Sequence, residues 1–258
     1  MSGIVQRRAV TRLLSLRPLL VFLLTLFMQP VAALGVYVSR SIEGSIIDAT
    51  TNTPIDGVIV TASWMQSPTM GHGALRPLNV SETVTNAKGE YTLPGWGPRF
   101  YADILENDQP VVRFFKPSYV PLVIANNSVY HPGLEGDRAH LINKPELRPD
   151  GKVRVRYFEP EAHQVKFGKK KHAFKLVPFR GTDEEYRELV RDKYVWSLRS
   201  ITSGDACKWK QLPITFTTLH KLSIRLGLPK NRGIFFVSYL GGQDRCGSAE
   251  EYFKEYLK

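Results

Sequence analysis

The residues of this chain that could do covalent or metal chemistry are few, and their spacing does not suit it. The six histidines are His72, His131, His140, His163, His172 and His220. A zinc hydrolase needs two imidazoles one helical turn apart, or a His with Glu three residues on, so that both face one ion. No histidine here has Glu three residues downstream, and His-Glu-x-x-His does not occur. A Gly-x-Ser-x-Gly elbow would expose a nucleophilic serine, and a Gly-rich loop ending in Lys-Ser or Lys-Thr would cradle phosphate. Neither is present. The sequence therefore predicts no cofactor, no metal and no enzymatic activity. A cryptic hydrolase assembled from sequence-distant His and carboxylates stays open as an alternative.

Two further sets of residues carry chemistry of a different kind. Cys207 and Cys246 are the chain's two cysteines. In an exported protein such a pair is expected to form a disulfide. The other set is basic. The chain has 35 Lys and Arg against 24 Asp and Glu, and residues 138–180 alone hold twelve basic and four acidic side chains. Within them Lys152, Arg154, Arg156, Lys169, Lys170 and Lys171 are candidate contacts for an acidic partner. Outside the cytoplasm that partner would be an envelope protein or an anionic surface rather than nucleic acid. The competing reading is a solvated β-surface whose lysines discourage edge pairing.

The address comes from the first residues. Arg7, Arg8, Arg12 and Arg17 precede an apolar run, Leu19–Met28, and Val31-Ala32-Ala33 offers small residues at a cleavage site. That order reads as a secretory signal peptide over residues 1–33. The alternative is an uncleaved membrane anchor over residues 18–39, because no charge intervenes between Arg17 and Arg40. Both place the remainder outside the cytoplasm, periplasmic or secreted.

Residues 36–126 must supply the scaffold. Val58, Val60, Ala62 and Trp64 alternate with Ile59, Thr61 and Ser63, the period-two signature of a strand with one face in a core. Asn86-Ala-Lys-Gly89 suits a type I turn and predicts a hairpin between Ser81–Thr85 and Glu90–Leu93. Val111–Phe115 and Val120–Ile124 add two β-rich runs. Between the strands, Met65–Val80 reads as a long loop. The pattern Gly44-x-x-x-Asp48, Pro54-Ile55-x-Gly57-Val58-x-Val60-x-Ala62 and Thr85-Asn86-x-x-Gly89-x-Tyr91-x-Leu93 resembles the carboxypeptidase regulatory-like domain. Trp64, Gly95-Trp96 and Phe115-Lys116-Pro117-Ser118-Tyr119 resemble its bacterial exported branch, which carries Gly where this chain has Ser118. The resemblance covers about residues 40–126. It implies a seven-stranded transthyretin-like (prealbumin-like) β-sandwich serving as an accessory module, with no catalytic residue of its own. A hydrolase of 5-hydroxyisourate shares that fold, but its Tyr-Arg-Gly-Ser motif does not occur here.

Residues 127–180 read as a loop followed by a basic β-hairpin, with Gly168-Lys-Lys-Lys171 as the turn between Gln164–Phe167 and Ala173–Phe179. Residues 181–258 read as helical. Thr182-Asp-Glu-Glu185 is a capping box, and Tyr186, Val190, Tyr194, Leu198 and Ile201 form one apolar stripe. Leu212, Phe216, Leu219, Leu222 and Leu226 mark a second helix, and Ser248-Ala-Glu-Glu251 caps a third. The expected class is thus mainly β with an α-helical C-terminal part. The expected role is an exported, non-enzymatic binding or accessory module for a protein or envelope surface; a structural scaffold subunit of an envelope assembly is the alternative. Cleavage predicts a mature protein starting at Leu34, read from its intact mass; a mass that includes residues 1–33 means that the anchor is kept.

Overall fold

The computed structural model describes residues 35–67, 75–101, 104–105, 109–130, 145–147, 153–155, 163–202, 207–228 and 246–256. The leader, Lys152 and Arg156 lie outside them. The strands are β1 (Gly35–Ser39), β2 (Ile42–Asp48), β3 (Ile59–Ser67), β4 (Arg76–Val84), β5 (Glu90–Leu93), β6 (Trp96–Tyr101) and β7 (Ile104–Leu105). They continue as β8 (Val111–Phe115), β9 (Leu122–Ala125), β10 (Val129–Tyr130), β11 (Pro145–Leu147), β12 (Val153–Val155), β13 (His163–Gln164) and β14 (His172–Leu176).

A smaller sheet has the order β14-β2-β5, and a larger one the order β4-β3-β8-β9 with β7 beside the end of β3. Their inner faces share one core. Ile42 and Ile46 of β2, Leu93 of β5 and Phe174 of β14 meet Val60, Ala62 and Trp64 of β3, Phe114 of β8 and Ile124 of β9. Phe114 touches Tyr91 edge-on at 5.6 Å and Phe174 at 4.9 Å, so aromatic contacts bridge the sheets.

Three expectations are corrected here. Asn86–Gly89 does turn the chain, with the Asn86 side chain accepting from the Lys88 and Glu90 N–H groups. The strands it joins do not pair, however: β4 pairs with β3 and β5 with β2. Gly89 makes this crossing possible, since at φ +71° a Cβ there would collide with the Ile46 carbonyl oxygen. Second, both described ends of Met65–Val80 are strand rather than loop, because β3 runs to Ser67 and β4 starts at Arg76. Third, the arms flanking Gly168–Lys171 do not form a hairpin. β13 pairs with β10, whereas β14 lies parallel to β2 with His172 opposite Gly44. A sandwich ending at residue 126 would leave β2 without this neighbour, so the smaller sheet borrows its edge from the basic segment. Farther off, β12, which contains Arg154, pairs with β11.

The larger sheet is covered on its second face as well. Helix α1 (Asp183–Leu189) continues through a π-turn (Val190–Val195) into α2 (Trp196–Thr202). A 3-10 turn (Lys208–Gln211), α3 (Pro213–Arg225) and α4 (Ala249–Phe253) follow. The predicted capping box is present: Thr182 Oγ1 accepts from Glu185 N–H, and the Glu185 carboxylate accepts from Thr182 N–H. The stripe Tyr186, Val190, Tyr194, Leu198 and Ile201 is buried, as is Leu212, Phe216, Leu219, Leu222 and Leu226. These side chains pack on Ile59, Val80 and Phe115, the opposite face of the strands that line the sandwich core. Phe115 stacks on Tyr194 at 4.4 Å.

Helix α3 has no capping side chain of its own, since its N-cap is Leu212. Glu82 of β4 supplies one from across the seam. Its carboxylate accepts from the Ile214 N–H (2.7 Å), the Thr215 N–H (2.9 Å) and the Thr215 hydroxyl (2.8 Å). A carboxylate there also suits the positive end of the helix dipole. Burial pushes the Glu82 carboxyl up, against these three bonds. Glu82→Ala should therefore lower unfolding free energy by about 2 kcal/mol, and Glu82→Gln, which keeps an acceptor, by clearly less. Urea titrations check this; equal losses in both variants would mean that the carboxylate does not act as the cap.

Candidate functional site

The disulfide expected from the sequence is present. Cys207 and Cys246 are bonded, with Cα atoms 5.5 Å apart, and the described residues contain no free cysteine. The bond ties the 3-10 turn to α4, where Trp209 meets Tyr252 and Phe253 edge-on at 5.6 and 5.5 Å. Such a bond belongs to an oxidising compartment. No helix among the described residues is long and apolar enough to cross a membrane.

Residue types that could do chemistry gather at the seam between the larger sheet and the helices. Arg113 of β8 is buried there. It donates from Nε to Ser197 Oγ (2.9 Å), from Nη1 to Ser63 Oγ (2.9 Å) and the Val111 carbonyl (3.2 Å), and from Nη2 to the Ser197 carbonyl (2.7 Å). Burial pushes its guanidinium down to about 10, so it stays charged at neutral pH. Thr61 and Thr215 share a hydrogen bond of 2.9 Å beside Glu82. The Tyr194 hydroxyl lies next to this pair without a hydrogen bond of good geometry, and burial raises it to about 12. Apart from the Tyr194 hydroxyl, the cluster's donors and acceptors fasten helices to the sheet, which is a structural use.

The residues that carry the family resemblance are also structural. Asp48 Oδ1 accepts from the Thr50 and Thr51 N–H groups, and Oδ2 from the Tyr119 hydroxyl at 3.0 Å. Burial opposes ionisation of this carboxyl, but the hydrogen bonds win and hold it below the ordinary range. Ser118 keeps a left-handed backbone, φ 73°. Its N–H donates to the Tyr186 hydroxyl at 2.9 Å. Trp64 is buried and Trp96 packs on it edge-on at 5.4 Å. Asn79 is buried, and Asn126 bonds the Gln109 carbonyl and the Phe167 N–H.

The basic candidates separate into distinct groups. Lys152 and Arg156 lie outside the described residues, and Arg154 sits on the β11–β12 ribbon. Lys171 pairs with Glu43 at 2.7 Å. Lys169 and Lys170 are exposed and have no ion pair among the described residues. Their turn is held from behind. Val165 and Phe167 are buried, Phe167 N–H donates to Asn126 Oδ1 (3.0 Å), and Lys166 N–H donates to His172 Nε2 (3.1 Å). Gly168 packs close to Arg40. The sequence flagged the charges but not the imidazole behind them, although His172 sits just past the lysine run.

Of the six histidines, His72, His131 and His140 lie outside the described residues. His163 and His172 stack at 5.4 Å, with Phe167 and Phe174 around His172. His220 lies on α3. Among the described residues no group of three or more His, Cys, Asp or Glu is placed to hold a metal.

No family model matches the chain, and no curated protein matches it. Solved structures similar to parts of it include 3-chlorocatechol 1,2-dioxygenase from Rhodococcus opacus, at 12% identity and a TM-score of 0.29 over 59% of this chain and 63% of that one. A 9R-lipoxygenase from Cyanothece aligns at 8% identity and a TM-score of 0.21 over 82% of this chain and 30% of that one. The chain thus spans less than two thirds of either, and likenesses this distant carry no argument about activity.

His172 gives the turn a pH dependence of defined sign. Burial lowers its pKa below 6.5, and His163 and Lys170 act in the same direction. The unfolded chain therefore binds this proton more readily. Stability is full above pH 6.5 and falls as the pH drops through that value toward the folded pKa. His172→Gln, which cannot titrate, should flatten this part of the stability profile in urea titrations between about pH 7.5 and 5.5. An unchanged slope would assign the acid sensitivity to other groups.

Proposed function

We propose that the protein is an exported, non-enzymatic accessory module that docks onto an acidic component of the cell envelope. The observation that carries this reading is the pair Lys169 and Lys170, exposed on a turn anchored by Phe167 and His172, while neighbouring Lys171 is neutralised by Glu43. Presentation of two charges that have no ion pair among the described residues, on a turn already held in place, favours an anionic partner because little ordering is left to do on binding. The scaffold is read as a seven-stranded transthyretin-like sandwich, a reading supported by the β2–β5 pair facing the β4-β3-β8-β9 sheet across one core. The Cys207–Cys246 bond supports a periplasmic or secreted location.

Co-sedimentation with isolated envelopes tests the reading. Replacing Lys169 and Lys170 by Gln should cost about 2 kcal/mol, roughly thirtyfold in affinity, at low salt. High salt should erase most of that difference. Because the turn is exposed, circular dichroism should be unchanged. Wild-type sedimentation by the double variant, with no effect of salt, would remove the basic turn from the contact.

A further inference from the structure

The N-terminal ribbon exposes an apolar face that the sandwich does not use. β1 pairs with β6, with Val36 opposite Phe100 and Tyr37 opposite Arg99. Directly opposed residues share a face, and alternation along β1 puts Val36 and Val38 on the same side. The outward face therefore carries Val36, Val38 and Phe100, which are 56%, 66% and 64% exposed. The other side is tied down. Tyr37 and Trp96 pack against the sandwich core, and Arg99 lies over the Trp96 ring while donating to the Leu78 carbonyl at 2.9 Å. The ribbon is thus fixed with its apolar face outward.

Charge says what covers it. Exposed Arg40 ends the ribbon, and Gly168 packs against it, which brings Lys169 and Lys170 to the same end of the molecule. Exposed Val and Phe side chains flanked by Arg and Lys are the composition of a surface seated at the lipid headgroup boundary.

We propose that the β1–β6 ribbon, together with Arg40, Lys169 and Lys170, seats the protein on an anionic phospholipid bilayer, with Val36, Val38 and Phe100 inserted at the interface. This rests on the accessory-module reading and names lipid as the acidic partner. The same face turned toward a protein would leave the apolar side chains unquenched by lipid.

The test uses the full exported protein with vesicles of mixed phosphatidylglycerol and phosphatidylethanolamine carrying brominated acyl chains. Phe100→Trp reports on the ribbon, and Val123→Trp, on the larger sheet, serves as the control. The added Phe100→Trp emission should be quenched and that of Val123→Trp should not, whether or not the leader is retained. Replacing Arg40, Lys169 and Lys170 by Gln should weaken binding on the order of fivefold per charge at low salt. Val36→Ser/Val38→Ser/Phe100→Ser should weaken it further at any salt, with an unchanged near-ultraviolet spectrum as the folding control. Absence of quenching at Phe100→Trp, or equal quenching at both positions, overturns the proposal. If quenching fails while crosslinking in intact cells still captures an envelope protein through the basic turn, the lipid inference falls and the accessory reading stands. If both fail, both fall.

Discussion

Strand β3 is buried on both faces along nearly its whole length, from Ile59 to Gln66. One face, with Val60, Ala62 and Trp64, closes the sandwich core, and the other lies under the helices. An antiparallel sheet can leave one side to water, but this one does not, because its second side carries Ile59, Val80 and Phe115 beside Thr61, Ser63 and Arg113. The apolar members need a cover, and the polar members need partners once covered, since a buried group left unpaired costs more than a made bond returns. Ser197 and Thr215 supply those partners from α2 and α3, and Glu82 repays α3 by capping it. The helical part is therefore integral to the sandwich.

This commitment of the interior shapes what is left for function. Glu82 and Arg113 are residue types found in catalytic sites, yet their hydrogen bonds fasten two layers together. The surface features share a different design, in which buried aromatic residues hold a backbone from behind and leave its front exposed. Phe167 and His172 do this for Lys169 and Lys170, and Trp96 on Trp64 does it for the β1–β6 ribbon. One of the surfaces presented in this way is basic and the other apolar.

Arg40 joins the two. It closes the ribbon, leads into β2, and touches the turn at Gly168. Beyond that turn, β14 runs parallel to β2, so the basic segment is held by the sheet at one side and by β10 through β13 at the other. The placement of Lys169 and Lys170 therefore depends on strands far apart in the chain.

Local chemistry made some of this legible in the sequence. The stripe from Tyr186 to Ile201 and the Thr182–Glu185 capping box were readable because helical period and capping are properties of a few neighbouring residues. The same holds for the Asn86–Gly89 reversal and for the oxidised pair Cys207 and Cys246. Pairing partners were not readable, because a turn sets the direction of the chain and not the sheet it enters. Thus β4 and β5 part company across Gly89, and β14 runs parallel to β2 instead of folding back on β13. Nor could periodicity reveal that Ile59, Thr61 and Ser63, which alternate as a solvent face would, are buried. Alternation records two faces, and what covers the second is decided by long-range contacts such as Thr61 with Thr215, 154 residues away. Those contacts form only when the helices close over the sheet and exclude water from both.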